Sequence, residues 1–306
     1  MKNKYVFVAV MLSVLILVGA GLTNLYVRFE QNVLKKDQDK QDNFCILTSF
    51  YPMYIAAKNI TADCDGVILH NLSEPQTGCL HDYQLTTEDM VKLSSADVFI
   101  VNGGGIENFL TDVAAQYPDL KIINACERME LLDDNAHAWM SIPDYMAQVR
   151  TIAEGLSAED PVHRAVYEEH CLDYLDKLDT LLQQQQKLSK PAAGQNIVIF
   201  HEAFDYIAKD YGFTVSASMD LDEERQISAG EVASLLDQIR RFDVRLILAE
   251  EQYGRELCET IQKEAEVRVV YLDPCVRGDY NAESYLNAMG ENIIQLKQAL
   301  LETDNS

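Results

Sequence analysis

Short apolar runs alternate with amphipathic stretches along most of this 306-residue chain. The runs are continuously apolar, which is typical of parallel strands buried on both faces of a sheet. The amphipathic stretches between them predict the helices of an α/β fold. The predicted strands are 44–49, 66–70, 97–102, 121–125, 196–200, 214–218, 244–250 and 267–272. They fall into two groups, so we predict two open α/β, Rossmann-like lobes.

A long stretch without glycine separates the two groups of strands. Within residues 159–190 the only proline is Pro161, which suits a first helical turn, and apolar side chains recur at helical spacing. We therefore expect an N-terminal lobe over 44–158, one connecting helix over 159–190 and a C-terminal lobe over 191–306. Two lobes joined in this way leave a cleft between them, and ligand sites favour such interfaces.

The N-terminus carries the pattern of an export signal. Lys2 and Lys4 precede an apolar run, as in a charged region followed by a hydrophobic one. The run is roughly 18 residues long, the threshold for spanning a bilayer. We expect residues 1–27 to be a signal peptide or an uncleaved membrane anchor and residues 28–43 a polar linker. The folded part would then lie outside the cytoplasm, at the cell surface or in the periplasm.

The chain is strongly acidic, with 49 Asp and Glu residues against 25 Lys and Arg and a net charge of −24. Such a surface repels nucleic acid and anionic lipid headgroups, and it weakly concentrates cations. We therefore expect no nucleic-acid partner. Simple solubility is the main interpretation of the charge itself.

Seven cysteines are present, with no CxxC pair among them. Export permits disulfides, and Cys258 and Cys275, which flank a predicted strand, are the first pair to test for a bridge. Cys79 precedes His81 by two residues and could form a thiolate–imidazole pair on a metal ion. A disulfide or a buried structural thiol is the preferred interpretation of Cys79.

Four side chains share one topological position. His81, His137, His201 and Asp273 each lie beyond the carboxyl end of a predicted strand, where open α/β sheets bind ligands. Two come from each lobe, so lobes that face each other would bring them together. Three imidazoles and one carboxylate form a tetrahedral donor set suited to Zn²⁺. A closed set of four leaves no position for a reactive water, which predicts binding rather than catalysis. A packing or turn role is the alternative for each residue alone.

Two other motifs have local interpretations. The run NGGGIENF, residues 102–109, resembles a phosphate-binding loop, but Asn108 stands where the dinucleotide motif needs a third glycine. A turn that leads into a helix is the better interpretation. Thr86 and Asp89 have the spacing of a capping box, which predicts a helix start there. No Ser/His/Asp or Cys/His set in the sequence has a spacing that suggests nucleophilic catalysis.

Blocks of sequence along most of the chain resemble one family. The blocks are SFYPMYIAAKNI, EPQTGCLHDYQLTTEDM, ADVFIVNGGGIENFL, NAHAWMSI, FHEAFDYIAKDYGF, ISAGEVASLLDQI and YLDP, in that order over about residues 44–302. They are similar to the zinc- and manganese-binding solute-binding proteins of ABC transporters, the cluster A-I group. The resemblance implies two α/β lobes, a long connecting helix and a metal ion held between the lobes.

The resemblance also implies which side chains bind the ion. His81, His137 and His201 match the first three ligand positions, and Asp273 matches the acidic position of the last motif. Glu251 is the alternative fourth donor, and water is another. Manganese members usually have a glutamate at the third position, so the histidine here favours zinc over manganese.

The expected function is capture of a divalent metal ion, Zn²⁺ in preference to Mn²⁺, and its delivery to the permease of an ABC importer. We expect a monomer that is not an enzyme. A surface adhesin on the same scaffold is the first alternative, and a zinc hydrolase with Glu202 as general base is the second. Because an ordinary histidine titrates near pH 6.5, metal binding should weaken as the pH falls towards about 5.

Overall fold

A computed structural model of the chain describes residues 43–221 and 227–303. By its internal contacts the chain divides into two units, Met1–Phe44 and Cys45–Ser306, and the second unit carries the fold. The expected signal or anchor over 1–27 lies outside the described residues, as does all of the expected linker except Asn43. None of the helices in the described ranges has the length and apolarity needed to cross a bilayer.

Two parallel four-stranded sheets form the framework, in agreement with the predicted fold class. The strands of the first are β1 (Phe44–Thr48), β2 (Val67–Asn71), β3 (Val98–Val101) and β4 (Lys121–Asn124). Those of the second are β5 (Asn196–Ile199), β6 (Thr214–Ser218), β7 (Leu246–Ala249) and β8 (Arg268–Tyr271). The strand orders are β2-β1-β3-β4 and β6-β5-β7-β8. Each sheet thus has the central crossover beside which α/β folds bind ligands.

Helices connect the strands in chain order. The helices of the first lobe are α1 (Tyr51–Ile60), α2 (Thr87–Ser95), α3 (Leu110–Gln116) and α4 (Ile142–Glu159). After these come α5 (Arg164–Ala192), α6 (Phe204–Tyr211), α7 (Ala229–Arg241), α8 (Arg255–Glu264) and α9 (Ser284–Thr303). Short 3₁₀ turns lie at Leu132–Asp134 and Ala138–Met140. Helix α2 begins with the predicted capping box, in which the side chains of Thr86 and Asp89 each accept the other's backbone N–H.

The long helix α5 links the two lobes and buries the predicted apolar stripe, which includes Tyr174 and Leu178. It begins at Arg164, after a turn, whereas the sequence suggested a start near residue 159. The carboxylate of Asp160 explains the difference. It accepts hydrogen bonds from Nδ1 of His163 at 2.6 Å and from the hydroxyl of Tyr167 at 2.7 Å, which stabilises the turn between α4 and α5.

The C-terminal helix α9 packs against elements of both lobes. It contacts β8 in the second lobe, the connecting helix α5, and α1 in the first lobe. Tyr285 on α9 stacks on Tyr145 with 3.8 Å between ring centroids, and its hydroxyl donates to the carbonyl of Trp139 at 2.7 Å. The indole N–H of Trp139 in turn donates to the carbonyl of Pro274 at 2.9 Å. The two lobes are therefore joined both by α5 and by this second set of contacts.

Candidate metal centre

The carboxyl ends of strands from both sheets surround the candidate site. The loop after β2 contains Cys79 and His81, the loop after β4 contains His137, and His201 lies just beyond β5. Loops at this end of a parallel sheet hold ligands because their side chains face the same crevice. The sequence reasoning had predicted this placement for all three histidines.

The three histidines come together in the cleft. Nε2 of His81 lies 3.4 Å from Nε2 of His137. The rings of His137 and His201 lie nearly perpendicular, with centroids 4.9 Å apart. His137 and His201 are fully buried, whereas the side chain of His81 is 34% exposed. Solvent therefore reaches this group through His81.

Acceptors behind the two buried imidazoles orient them. Nδ1 of His137 lies 2.8 Å from Oδ1 of Asn135, and Nδ1 of His201 is hydrogen-bonded to the buried carboxylate of Glu250. A proton on each Nδ1 leaves the lone pair of Nε2 directed into the cleft. This arrangement is typical of histidines that bind metal ions. Sequence reasoning missed both positioning residues, although Glu250 directly follows β7 and so shares the strand-end position of the predicted ligands.

Cys79 lies in the same group of side chains. Its Sγ is 3.6 Å from Nε2 of His137 and 4.0 Å from Nε2 of His201. It is half-buried and forms no disulfide. The sequence-based preference for a disulfide or a purely structural thiol is therefore corrected, because this thiol faces the histidines.

Two sets of potential ligand atoms stand out among the described residues. The first contains Cys79, His137 and His201, and the second contains His81, His137 and Glu202. Within each set the ligand atoms all lie within 4.8 Å of one another. His137 belongs to both sets and connects them. The described site is therefore a cluster of histidines with one thiol and one carboxylate close by.

Asp273 follows β8, as predicted, but belongs to neither set. Its Oδ1 accepts the N–H of Cys275 at 2.7 Å, and its own N–H and carbonyl both pair with the side chain of Asn292 at 2.8 Å. The alternative carboxylate, Glu251, is exposed and ion-paired with Arg255. His137 thus lies close to both His81 and His201, which belong to different sets, and neither of these two carboxylates joins either set.

The carboxylate beside the histidines is that of Glu202. Its Oε1 lies 3.6 Å from Nε2 of His81 and 3.5 Å from Nδ1 of His137. The sequence reasoning had considered Glu202 only as a general base. Its position directly after His201 is the signal that could have suggested a place near the ligands.

The bridge considered between Cys258 and Cys275 is absent. Cys258 lies in the core of the second sheet, in the same buried cluster as Ile247 and Ile261. The thiol of Cys275 instead contacts the carbonyl of Asp273 at 3.6 Å. All seven cysteines lie within the described ranges, and none of them is in a disulfide.

The pKa values of the two buried imidazoles shift in opposite directions. Burial, together with the neighbouring His201 and His81, lowers the pKa of His137 well below its usual value. Burial would also lower the pKa of His201, but its contacts with Cys79 and Glu250 outweigh this effect and raise the pKa to about 10. At neutral pH without metal, His137 is therefore neutral and His201 is protonated. A cation that binds His201 must displace that proton.

The glycine-rich run 102–109 supports two of the histidine loops. Nδ2 of Asn102 donates to the carbonyl of Ala136 at 2.9 Å, next to His137. Nδ2 of Asn108 donates to the carbonyl of His81. The run leads into α3, in agreement with the turn that was predicted there. Its two asparagines position ligand loops, which the sequence pattern did not reveal.

A buried carboxylate holds this run in shape. Oε1 of Glu107 accepts the N–H of Asn102 and the hydroxyl of Ser49, both at 2.8 Å. Its Oε2 accepts the N–H of Gly103 at 3.0 Å. Burial raises the pKa of Glu107, although these hydrogen bonds partly offset the effect. Glu107 is thus a structural anchor behind the metal centre.

An open acidic pocket leads to His81. Among the residues that line it are Asp133, Asp134, Glu202 and Asp205. Burial and the charge of Glu202 raise the pKa of Asp205, as expected where carboxylates are crowded. Lys209 also lines the pocket, but these four carboxylates outnumber it, and a predominantly negative concave surface raises the local concentration of cations. The entrance to the histidine cluster therefore favours cations.

The sequence matches a known family model over residues 46–299, described as ZnuA, zinc-uptake complex component A, periplasmic. The chain belongs to the ZnuA family. The zinc-binding lipoprotein AdcA of Streptococcus pneumoniae (strain ATCC BAA-255 / R6) is 26% identical over 280 residues, covering 83% of this chain and 55% of AdcA. The chain thus spans about half the length of AdcA. The manganese-binding lipoprotein MntA of Halalkalibacterium halodurans is 25% identical over 261 residues, covering 81% of this chain and 85% of MntA.

A solved structure shares the fold of this ZnuA-family chain. The structure of the SBP FpvC from Pseudomonas aeruginosa in complex with Mn²⁺ matches with a TM-score of 0.76 and 26% identity, covering 85% of this chain and 99% of FpvC. The same protein has been solved with Ni²⁺. These matches confirm the predicted two-lobe fold and the family resemblance. The family description names an uptake component rather than an enzyme, in agreement with the expectation of a binding protein.

Proposed function

We propose that this ZnuA-family protein binds one divalent transition-metal ion in the cleft and delivers it to the permease of an ABC importer, outside the cytoplasm. Zinc is the favoured ion and manganese the alternative. His81, His137 and His201 are the ligands in this proposal. Asp273 is the family-based candidate for a fourth position.

The observation that carries the proposal is the distance between two ring nitrogens. Two nitrogens bound to one tetrahedral zinc ion at 2.0–2.1 Å lie about 3.4 Å apart. Nε2 of His81 and Nε2 of His137 are separated by 3.4 Å. The acceptors behind His137 and His201 orient both rings so that each Nε2 can bind a cation, which at His201 must displace the second proton of the ring.

The donor set supports zinc over manganese. Imidazole suits Zn²⁺, whereas Mn²⁺ prefers carboxylate, carbonyl and water oxygens. The relatives carry both names, zinc for AdcA and manganese for MntA, at similar identity. The three imidazoles of this chain support the choice of zinc in the proposal.

Membership of the family supports the proposed location and partner. The matching model describes a periplasmic uptake component, and AdcA and MntA are named lipoproteins. The charged and apolar pattern of residues 1–27 fits export. We propose that the protein is held at the outer face of the cell membrane or secreted, and that it acts as a monomer.

Titration calorimetry on the full-length, metal-free protein tests the binding step. We expect one Zn²⁺ per chain and weaker binding of Mn²⁺. Replacing His201 with alanine removes a direct ligand and should weaken zinc binding by more than about 100-fold, because even loss of an outer-sphere partner costs 10–100-fold. His70→Ala is the matched control, since His70 is exposed on β2. If His201→Ala binds zinc as tightly as the unaltered chain, the site is wrong.

Uptake of radiolabelled zinc by cells tests the delivery step. Cells that lack the protein should take up less zinc at low external concentration and should grow poorly in chelated medium. Restoring the unaltered chain should reverse both defects, and restoring His201→Ala should not. Normal uptake combined with a loss of surface attachment would favour the adhesin alternative instead.

A further inference from the structure

We propose that Cys79 is a direct thiolate ligand of the metal ion and occupies the fourth position that the family pattern assigns to Asp273. This inference rests on the proposed function, since it concerns the same ion. It changes the donor set from nitrogen and oxygen to nitrogen and sulfur.

The distances around Sγ fit a shared ion. With Zn–S at about 2.3 Å and Zn–N at 2.0–2.1 Å, a tetrahedral site separates sulfur from nitrogen by about 3.6 Å. Sγ of Cys79 lies 3.6 Å from Nε2 of His137 and 4.0 Å from Nε2 of His201. If the thiol only formed a hydrogen bond, one imidazole ring would be enough, and a second Nε2 at a comparable distance would not be needed. The approach to both Nε2 atoms is the arrangement that one common ion requires.

The main chain on either side of Cys79 is firmly placed. Gly78 has a φ of +90°, a conformation that glycine adopts without strain. An ideal Cβ at that position would lie 2.4 Å from Nη2 of Arg277. Leu80, on the other side, is fully buried. The half-buried thiol therefore lies between a turn that favours glycine and a buried core residue.

Asp273 is less well placed for the same role. Its Oδ1 already accepts the N–H of Cys275 at 2.7 Å. It belongs to neither set of close ligand atoms among the described residues, whereas Cys79 belongs to one. Cys79, rather than Asp273, is thus the side chain that is grouped with His137 and His201.

Binding exchanges a proton for the metal ion. As the S–metal bond forms, the S–H bond breaks heterolytically and its proton passes to solvent, with no change of oxidation state. A soft thiolate favours Zn²⁺, whereas Mn²⁺ prefers oxygen donors. Cys79 would therefore strengthen the preference of this site for zinc and other thiophilic ions over manganese.

Cobalt(II) is the probe that tests the inference, used with the full-length, reduced, metal-free protein. We expect one Co²⁺ to bind with a thiolate-to-cobalt charge-transfer band in the near ultraviolet. The band should be lost in Cys79→Ser and kept in Cys64→Ser. Cys64 is a matched control because it is also half-buried but precedes β2, at the opposite end of that strand from the site. Zinc affinity should fall more than manganese affinity in Cys79→Ser.

X-ray absorption at the zinc edge gives a readout that does not depend on a variant. The zinc-loaded, unaltered chain should show one sulfur neighbour at about 2.3 Å. Stoichiometric binding with only nitrogen and oxygen neighbours, or a charge-transfer band that persists in Cys79→Ser, would overturn the assignment of Cys79 and leave the proposed function intact. If the unaltered chain binds neither Co²⁺ nor Zn²⁺, the proposed function itself fails.

Discussion

The buried carboxylate of Glu250 accepts a hydrogen bond from Nδ1 of His201 at the back of the metal centre. This contact sets the ring orientation and makes the imidazole a stronger donor to a cation. Glu250→Gln keeps the shape but loses the charge. We expect zinc affinity to fall about 10–100-fold, the usual cost of losing an outer-sphere partner.

Competition with a chelator of known affinity would measure this loss. Glu256→Gln is the control, because Glu256 is an exposed residue of the neighbouring helix α8. Equal zinc affinities for the unaltered chain and Glu250→Gln would show that the carboxylate does not act on the ligand.

The raised pKa of His201 predicts that zinc affinity depends on pH well above the range of an ordinary histidine. With a pKa of about 10, His201 carries a proton at pH 7 that zinc must displace. Affinity should therefore rise with pH from 7 towards 9, by up to about tenfold per pH unit for each displaced proton. Glu250→Gln removes a cause of the raised pKa of His201, so in this variant the zinc affinity should stop rising at a lower pH. Calorimetry in buffers of different ionisation enthalpy would count the protons, and a flat profile above pH 7 would contradict the prediction.

The raised pKa of His201 also predicts the direction in which the stability of the metal-free protein changes with pH. His201 has a higher pKa in the folded state than its unfolded value of about 6.5. Its contribution to the free energy of unfolding is therefore fully present below about pH 6.5 and is lost as the pH rises to about 10. His137 has the opposite shift, so its contribution is present above about pH 6.5 and is lost as the pH falls below that value. Urea unfolding across this range, with His201→Gln and His137→Gln as comparisons, should separate the two slopes.

Glu107 is expected to control the stability of the run that supports the ligand loops. In Glu107→Gln, an amide NH₂ would face one of the backbone N–H donors of Asn102 and Gly103. Leaving a buried donor unpaired costs about 1–3 kcal/mol, and we expect a loss of that size in the free energy of unfolding, with weaker zinc binding. Chemical denaturation of the metal-free protein measures it, and the exposed Glu159→Gln serves as control. A variant of unchanged stability would count against the anchoring role.

Trp139 should report binding directly. It is the single tryptophan of the chain, it is fully buried, and its ring centroid lies 4.9 Å from that of His137. Zinc on His137 changes the charge and mobility of this neighbour, so we expect a saturable change in tryptophan fluorescence. Its midpoint should agree with calorimetry and should shift in His201→Ala. Fluorescence that stays constant while calorimetry shows binding would exclude the proposed contact with the ion.

Sequence patterns predicted the strands and the three histidines well, because both depend on chain order. Continuous apolar runs mark buried parallel strands, and His81, His137 and His201 each lie in the segment that follows one of them. The residue types at these positions suggested a metal ion, and the family resemblance strengthened that expectation.

Other features depend on contacts between distant parts of the chain and could not be predicted in this way. The thiol of Cys79 lies near His137 and His201, and Glu250 is hydrogen-bonded to His201, although these residues are far apart in the sequence. The packing of α9 on both lobes is invisible in an amphipathic pattern, which shows an apolar face but not its partner.

The double connection between the lobes has a kinetic consequence. A binding protein hinged on one connector can lose its cargo whenever the lobes swing apart. Here α5 and α9 both contact elements of the two lobes, so wide opening would have to disrupt the packing of Tyr285 on Tyr145. For the proposed bound ion, we therefore expect release to depend on movements of the loops that carry the histidines rather than on wide opening of the lobes.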